Sequence, residues 1–171
     1  MTLLVLSDSH GSTYALREAI GRARPDGILF AGDGARDLTH CDVSVPLWAV
    51  RGNCDLLLSS IIVDGRELSV PEEELITVDG VRILLLHGHT VDVKHGLANA
   101  VSHAAAREAD VLVYGHTHKS VECWITPDDT AYGSLLKKPL LLFNPGSIGN
   151  GHSFGTLTVK NGQVLGSLSE F

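Results

Sequence analysis

Apolar runs of strand length recur along this chain, and one after another ends in a side chain able to bind a cation. "TLLVL" (2–6) leads to Asp8 and His10, "GILFA" (27–31) to Asp33, and "PLWAV" (46–50) to Asn53, Cys54 and Asp55. "VRILLL" (81–86) leads to His87, and "VLVY" (111–114) to His116 and His118. Runs that are apolar throughout, rather than alternating, suit strands covered on both faces. In open α/β sheets, ligands bind outside the carboxyl ends of parallel strands. The pattern therefore predicts that these polar groups converge on one rim.

Helices are expected between the strands. In "STYALREAIGRARP", Ser12 is the expected N-cap, Tyr14, Leu16, Ala19 and Ile20 form the expected inward face, and Pro25 ends the helix. A second helix is expected over 96–109, where alanine and leucine are dense. Asp79-Gly80 and Asn161-Gly162 each separate two apolar runs and mark hairpins. With the further run "PLLLF" (139–143), the class is α/β with mixed sheets. Residues 125–138 are the expected exposed flap.

At 171 residues the chain is expected to form one domain over 1–171. The amino terminus lacks the positive region and cleavage site of a secretory leader, and no run approaches the ~18 apolar residues of a membrane span. With Cys41, Cys54 and Cys123 forming no CxxC, a cytoplasmic protein with reduced thiols is expected. A net charge of −7 without a basic cluster argues against binding long nucleic acid.

The donors are oxygen and nitrogen, without thiolate. Such a set suits borderline divalent ions, Mn2+ first, with Ni2+, Co2+, Fe2+ and Zn2+ as alternatives. Asp8, His10, Asp33, Asn53, His87, His116 and His118 are more donors than one catalytic ion takes from a protein. Two ions about 3.5–4 Å apart, sharing one carboxylate, fit better. Such a centre stays positive against Asp8 and Asp33 and would attract a phosphate oxyanion despite the acidic chain.

D-x-H at 8–10, G-D at 32–33, G-N-x-D at 52–55, H-G at 87–88 and G-H-x-H at 115–118 resemble, in this order, the calcineurin-like metallophosphoesterase superfamily. The N-C-D wording and "NPGS" at 144–147 are similar to its small prokaryotic phosphodiesterase branch. The resemblance implies a four-layer αββα sandwich of two mixed β-sheets flanked by helices. It implies that Asp8, His10 and His118 hold one metal, that Asn53, His87 and His116 hold the other, and that Asp33 bridges. It further implies in-line attack on phosphorus by a metal-bound hydroxide. Asn53, His116 and His118 then border the substrate phosphate, with Asn53, Asp55 and His116 as the catalytic candidates, Asp55 by orienting its neighbours rather than by binding metal.

One position departs from the wider pattern. Much of the superfamily has G-N-H-[DE], with a histidine near the leaving group, and here Cys54 stands there. A thiol with a pKa near ~8.5 donates a proton less readily at neutral pH than imidazolium. The expected substrates are small phosphodiesters rather than alkyl monoesters. The alternatives are a phosphomonoesterase or nucleotidase, and a protein-binding scaffold of the kind found in the superfamily's retromer-subunit branch, which needs none of the ligands. A homodimer or larger homo-oligomer fits the flap and the terminal hairpin.

The remaining candidates read as structural. His40, His95, His103 and His152 are expected at the surface or on helices, and Cys41 and Cys123 as small buried residues. Lys119 is expected to face water. His89, two residues after His87, reads equally as pocket lining or as loop.

Overall fold

The computed structural model describes residues 1–171. The strands are β1 (Thr2–Leu6), β2 (Gly27–Phe30), β3 (Leu47–Ala49), β4 (Ser60–Val63), β5 (Arg66–Ser69), β6 (Glu73–Val78), β7 (Val81–Leu86), β8 (Val111–Val113), β9 (Ser120–Ile125), β10 (Leu140–Pro145), β11 (Ser153–Lys160) and β12 (Gln163–Glu170). The helices are α1 (Thr13–Ala23) and α2 (Ala98–Ala106). One five-stranded sheet runs β12-β11-β1-β2-β3 and a second runs β6-β7-β8-β10-β9, while β4 and β5 pair separately.

Period-two alternation sorts the side chains into layers. From β1 and β2, Leu4, Leu6, Ile28 and Phe30 enter a cluster with Ala15, Leu16 and Ala19 of α1. Their alternates Leu3, Val5, Leu29 and Ala31 meet Ile83, Leu85, Val111, Val113, Leu141 and Phe143 of the other sheet. From that sheet, Leu84, Leu86, Leu112, Leu140 and Leu142 turn outward to Ala100, Val101 and Ala104 of α2. The result is the αββα sandwich. Because both faces of β1, β2, β7 and β8 are covered, these strands carry no polar alternation. Truncating one of these leucines to alanine costs about 2–5 kcal/mol.

Parallel pairing of β1 with β2, β2 with β3, β7 with β8 and β8 with β10 sends the motif-bearing strands the same way within each sheet. The hairpins at Asp79-Gly80 and Asn161-Gly162 form as expected. Helix α1 ends with Arg24 in the left-handed region (φ 44°), its N–H reaching the Ile20 carbonyl, just before Pro25.

Several local expectations are corrected. Tyr14 is 75% exposed, because one turn of α1 already buries Ala15 and Leu16. Ser12 precedes α1 but makes no side-chain cap. Cys123 is exposed on the edge strand β9, whereas Cys41 is buried. The segment after Ile125 is exposed over much of its length but pinned, with Gly133 and Leu136 buried and the Asp129 carboxylate accepting the Ala131 and Tyr132 N–H groups. No helix is long and apolar enough to cross a membrane.

Candidate metal centre

Three of the motif loops leave their strands through an unusual backbone conformation. Asp8, His10, Asp33, His116 and His118 have φ of 55°, 45°, 57°, 66° and 57°. Non-glycine residues rarely adopt this region, and clusters of them mark functional sites. The loops also approach one another very closely. A Cβ on Gly52 would lie 2.0 Å from Asp33 Oδ1, and one on Gly115 would lie 2.0 Å from Ser7 Oγ and 2.8 Å from Asp8 Oδ2. Glycine at both positions is therefore a steric requirement.

The donors form three overlapping groups, each with its ligand atoms within 4.8 Å: Asp8, His10 and His118; Asp33, His87 and His116; and His10, Asp33 and Cys54. Asp8 is fully buried. Its Oδ2 accepts from the Ser7 hydroxyl (2.5 Å) and the His116 N–H (3.1 Å). Its Oδ1 is buried without a hydrogen-bond donor. His118 Nε2 stands 3.2 Å from that oxygen, His10 Nε2 3.7 Å, and the two nitrogens are 3.3 Å apart. A buried acceptor left without a donor is costly. One facing two imidazole nitrogens fits a cation.

The second group is built around His87, which is fully buried. Its Nδ1 lies 2.7 Å from the Ala31 carbonyl, which only accepts, so Nδ1 carries the proton and Nε2 is turned to the site. There Nε2 is 3.4 Å from Asp33 Oδ2 and 3.1 Å from His116 Nδ1. Asp33 Oδ1 accepts the Cys54 N–H at 2.8 Å.

The electrostatics separate the two histidines. Burial opposes a charge on His87, but the hydrogen bond to Asp33, the charges of Asp8 and Asp33 and the Ala31 carbonyl together raise its pKa. Burial pushes His116 down to about 4, helped by His87 and Lys94, so it stays neutral with a free lone pair. Burial alone would raise Asp33, yet His87 and the Cys54 N–H hold its carboxyl well below the usual range. Burial, followed by the Asp33 hydrogen bond and nearby carboxylates, pushes the Cys54 thiol up.

Of the residues singled out from the sequence, Asp8, His10, Asp33, His87, His116 and His118 come together. Asn53 sits exposed on the rim, its amide donating to Cys54 Sγ at 3.5 Å. Asp55 holds loops in place: its carboxylate accepts the N–H groups of Asp33, Gly34, Ala35 and Gly52 at 2.8–3.0 Å. His89 lies beside the centre, its ring 5.4 Å from His87 and 6.2 Å from His116.

Other supporting residues carry no spacing signal, apart from Asn144 and Ser147 of the "NPGS" stretch. Asp37 Oδ2 accepts from Ser9 Oγ (2.6 Å) and Gly11 N (2.8 Å), fixing the loop that holds His10. Ser147 Oγ donates to the Asp8 carbonyl at 2.8 Å, and the Asn144 amide donates to the Gly115 carbonyl and Thr117 Oγ1. The Asn150 amide lies 3.4 Å from His118 Nδ1 and steadies that ring. The "NPGS" stretch, Asn144 to Ser147, is thus a brace for two ligand loops.

Residues 1–162 match the model of the calcineurin-like phosphoesterase superfamily domain. The probable metallophosphoesterase YsnB of Bacillus subtilis is 30% identical over 168 residues, covering 94% of this chain and 86% of that protein. The phosphodiesterase YfcE of Escherichia coli is 28% identical over 181 residues, covering 92% and 87%. Vacuolar protein sorting 29 of Cryptosporidium parvum superposes with a TM-score of 0.66 at 19% identity, covering 99% and 97%, which shows the shared fold alone.

Proposed function

The chain belongs to the calcineurin-like phosphoesterase superfamily, and from that membership we propose that it is a metal-dependent phosphoester hydrolase acting on small phosphodiesters with two divalent cations. The observation that supports this best is the position of Asp33, whose ligand atoms group with His87 and His116 on one side and with His10 on the other. A carboxylate so placed suits a bridge. Asp8, His10 and His118 would hold one ion, and His87, His116 and Asn53 the other. The all-oxygen-and-nitrogen donor set accommodates Mn2+ alongside Fe2+, Co2+, Ni2+ and Zn2+, and Mn2+ is the ion proposed.

When bound, such a pair supplies positive charge to the phosphate oxygens and acidifies a water for attack on phosphorus. The protein's own contribution is orientation. The Ala31 carbonyl fixes His87, Asn150 steadies His118, and Asp55 locks the loops bearing Asp33 and Asn53. Neutral His116, with His118 and Asn53 on the rim, would contact the phosphate. Cys54, with its pKa raised, keeps its proton at neutral pH and assists a leaving alkoxide poorly, which favours diesters with acidic leaving groups.

A protein-binding scaffold on this fold would not need Asp8 Oδ1 buried without a donor against two imidazoles. A metal-supplemented screen over phosphomonoesters and phosphodiesters tests the proposal, with Asp33→Asn as control. Mn2+-dependent hydrolysis of a nitrophenyl diester, lost in Asp33→Asn, is the expected result. Faster turnover of the matching monoester would overturn the diester preference, and inactivity with every ester would overturn the enzyme.

A further inference from the structure

The loop carrying Asn53 and Cys54 runs on into three consecutive leucines. Leu58 is buried in the cluster under α1, but Leu56 is 77% exposed and Leu57 is 101% exposed. The loop is nonetheless held at both ends. The Asp55 N–H reaches the Gly52 carbonyl (3.2 Å), the Leu58 N–H the Asp55 carbonyl (3.1 Å), and the Arg51 guanidinium the Leu58 carbonyl (3.3 Å). At its tip Leu57 has φ 58°, a conformation a leucine rarely takes. A strained backbone thus holds an apolar side chain in water, so strain and the hydrophobic effect both act against the arrangement.

The pair follows, in the same loop, a residue that lies at the metal centre. Cys54 Sγ lies within 4.8 Å of the ligand atoms of His10 and Asp33, and Leu56 follows two residues later. The other exposed residues from the site loops, His10, Asn53, His118, Lys119 and Asn150, are polar. Of the other large exposed apolar side chains, five (Tyr14, Ile62, Leu75, Trp124 and Leu165) belong to α1, β4, β6, β9 and β12, while Met1 is at the amino terminus and Leu135 is in the segment before β10.

We propose that Leu56 and Leu57 receive an apolar ester substituent of the substrate, an aryl or short alkyl group on a phosphodiester whose phosphate faces the donors. This rests on the phosphodiesterase function proposed above. A diester carries two organic groups on phosphorus. Once its free oxygens face the cations, an organic group must cross the rim, and the leucine pair is the apolar surface of the Cys54 loop. The substrate class is therefore small diesters with one apolar ester group.

Calorimetric binding of methyl-, butyl- and hexylphosphonate to the Mn2+-loaded full chain tests this without turnover. Hexylphosphonate should bind at least about tenfold more tightly than methylphosphonate, given the affinity each buried methylene adds. In Leu56→Ser/Leu57→Asn, whose asparagine accepts the left-handed backbone, that ratio should fall below about threefold with methylphosphonate affinity unchanged. A ratio that the double variant leaves intact overturns the leucine proposal and leaves the hydrolase proposal standing. Failure of every phosphonate to bind the loaded protein overturns both. A dimer by light scattering that the double variant abolishes would show that a second copy covers the leucines, and would also overturn the proposal.

Discussion

The carboxylate of Asp55 accepts the backbone N–H of Asp33 at 2.8 Å, so one acidic residue positions the other without touching the same group. Three further N–H groups, from Gly34, Ala35 and Gly52, complete its shell. Removing a buried acceptor leaves its donors unsatisfied, at about 1–3 kcal/mol for a group of this kind. Asp55→Ala should therefore lower stability by about 2–3 kcal/mol in denaturant titration. It should also weaken Mn2+ binding about 10–100-fold, the usual effect of losing a residue that orients ligands. Asp55→Glu, which keeps the charge but misplaces it, should lose metal affinity with less loss of stability.

By the resemblance of its G-N-x-D motif, Cys54 stands where much of the superfamily has a histidine, and its thiol is pushed up by burial and by Asp33. Cys54→His should raise turnover of an alkyl or phenyl monoester by at least about tenfold, a fraction of what general acid catalysis usually supplies. Diester turnover should change much less. The ratio of monoester to diester kcat/KM is the measurement, and an unchanged ratio would remove Cys54 from any role in specificity.

The pH response of the metal-free protein follows from the opposite shifts of His87 and His116, whose ring nitrogens lie 3.1 Å apart. His87 is raised above its ordinary 6.5, so its contribution is full below 6.5 and is lost as pH rises through the higher folded value. His116 is lowered from 6.5 to about 4, so the unfolded chain takes up its proton first and stability falls between those values on acidification. Asp33 is depressed, and its contribution is lost only below its ordinary 3.8. Thermal unfolding of the chelator-treated protein should therefore show a maximum near pH 6.5, set by these pKa values. His116→Gln should flatten the acid limb.

Much of this architecture is legible in the sequence because it depends on strands covered on both faces. Runs such as "TLLVL" and "VRILLL" mark such strands directly, and the donor that follows each run lies at its carboxyl end. Edge elements are harder to read. β9 ("SVECWI") is largely exposed and lacks an apolar run, and the β4–β5 hairpin turns at Asp64-Gly65 behind a run too short to stand out. Asp37 and Asn150 act through hydrogen bonds across the fold and carry no spacing of their own. Tyr14 and Cys123 show the converse limit, since side-chain type alone does not say which face of an element meets the core.

In the proposed enzyme, separate segments of the chain hold two cations around Asp33. Metal analysis of Mn2+-loaded protein after exhaustive removal of free ion tests it most directly. The native protein should approach two ions per chain, as a shared carboxylate site requires, with clear loss in Asp33→Asn. A native protein that retains no transition metal, or an Asp33→Asn variant that keeps both the ions and the hydrolysis, would contradict it.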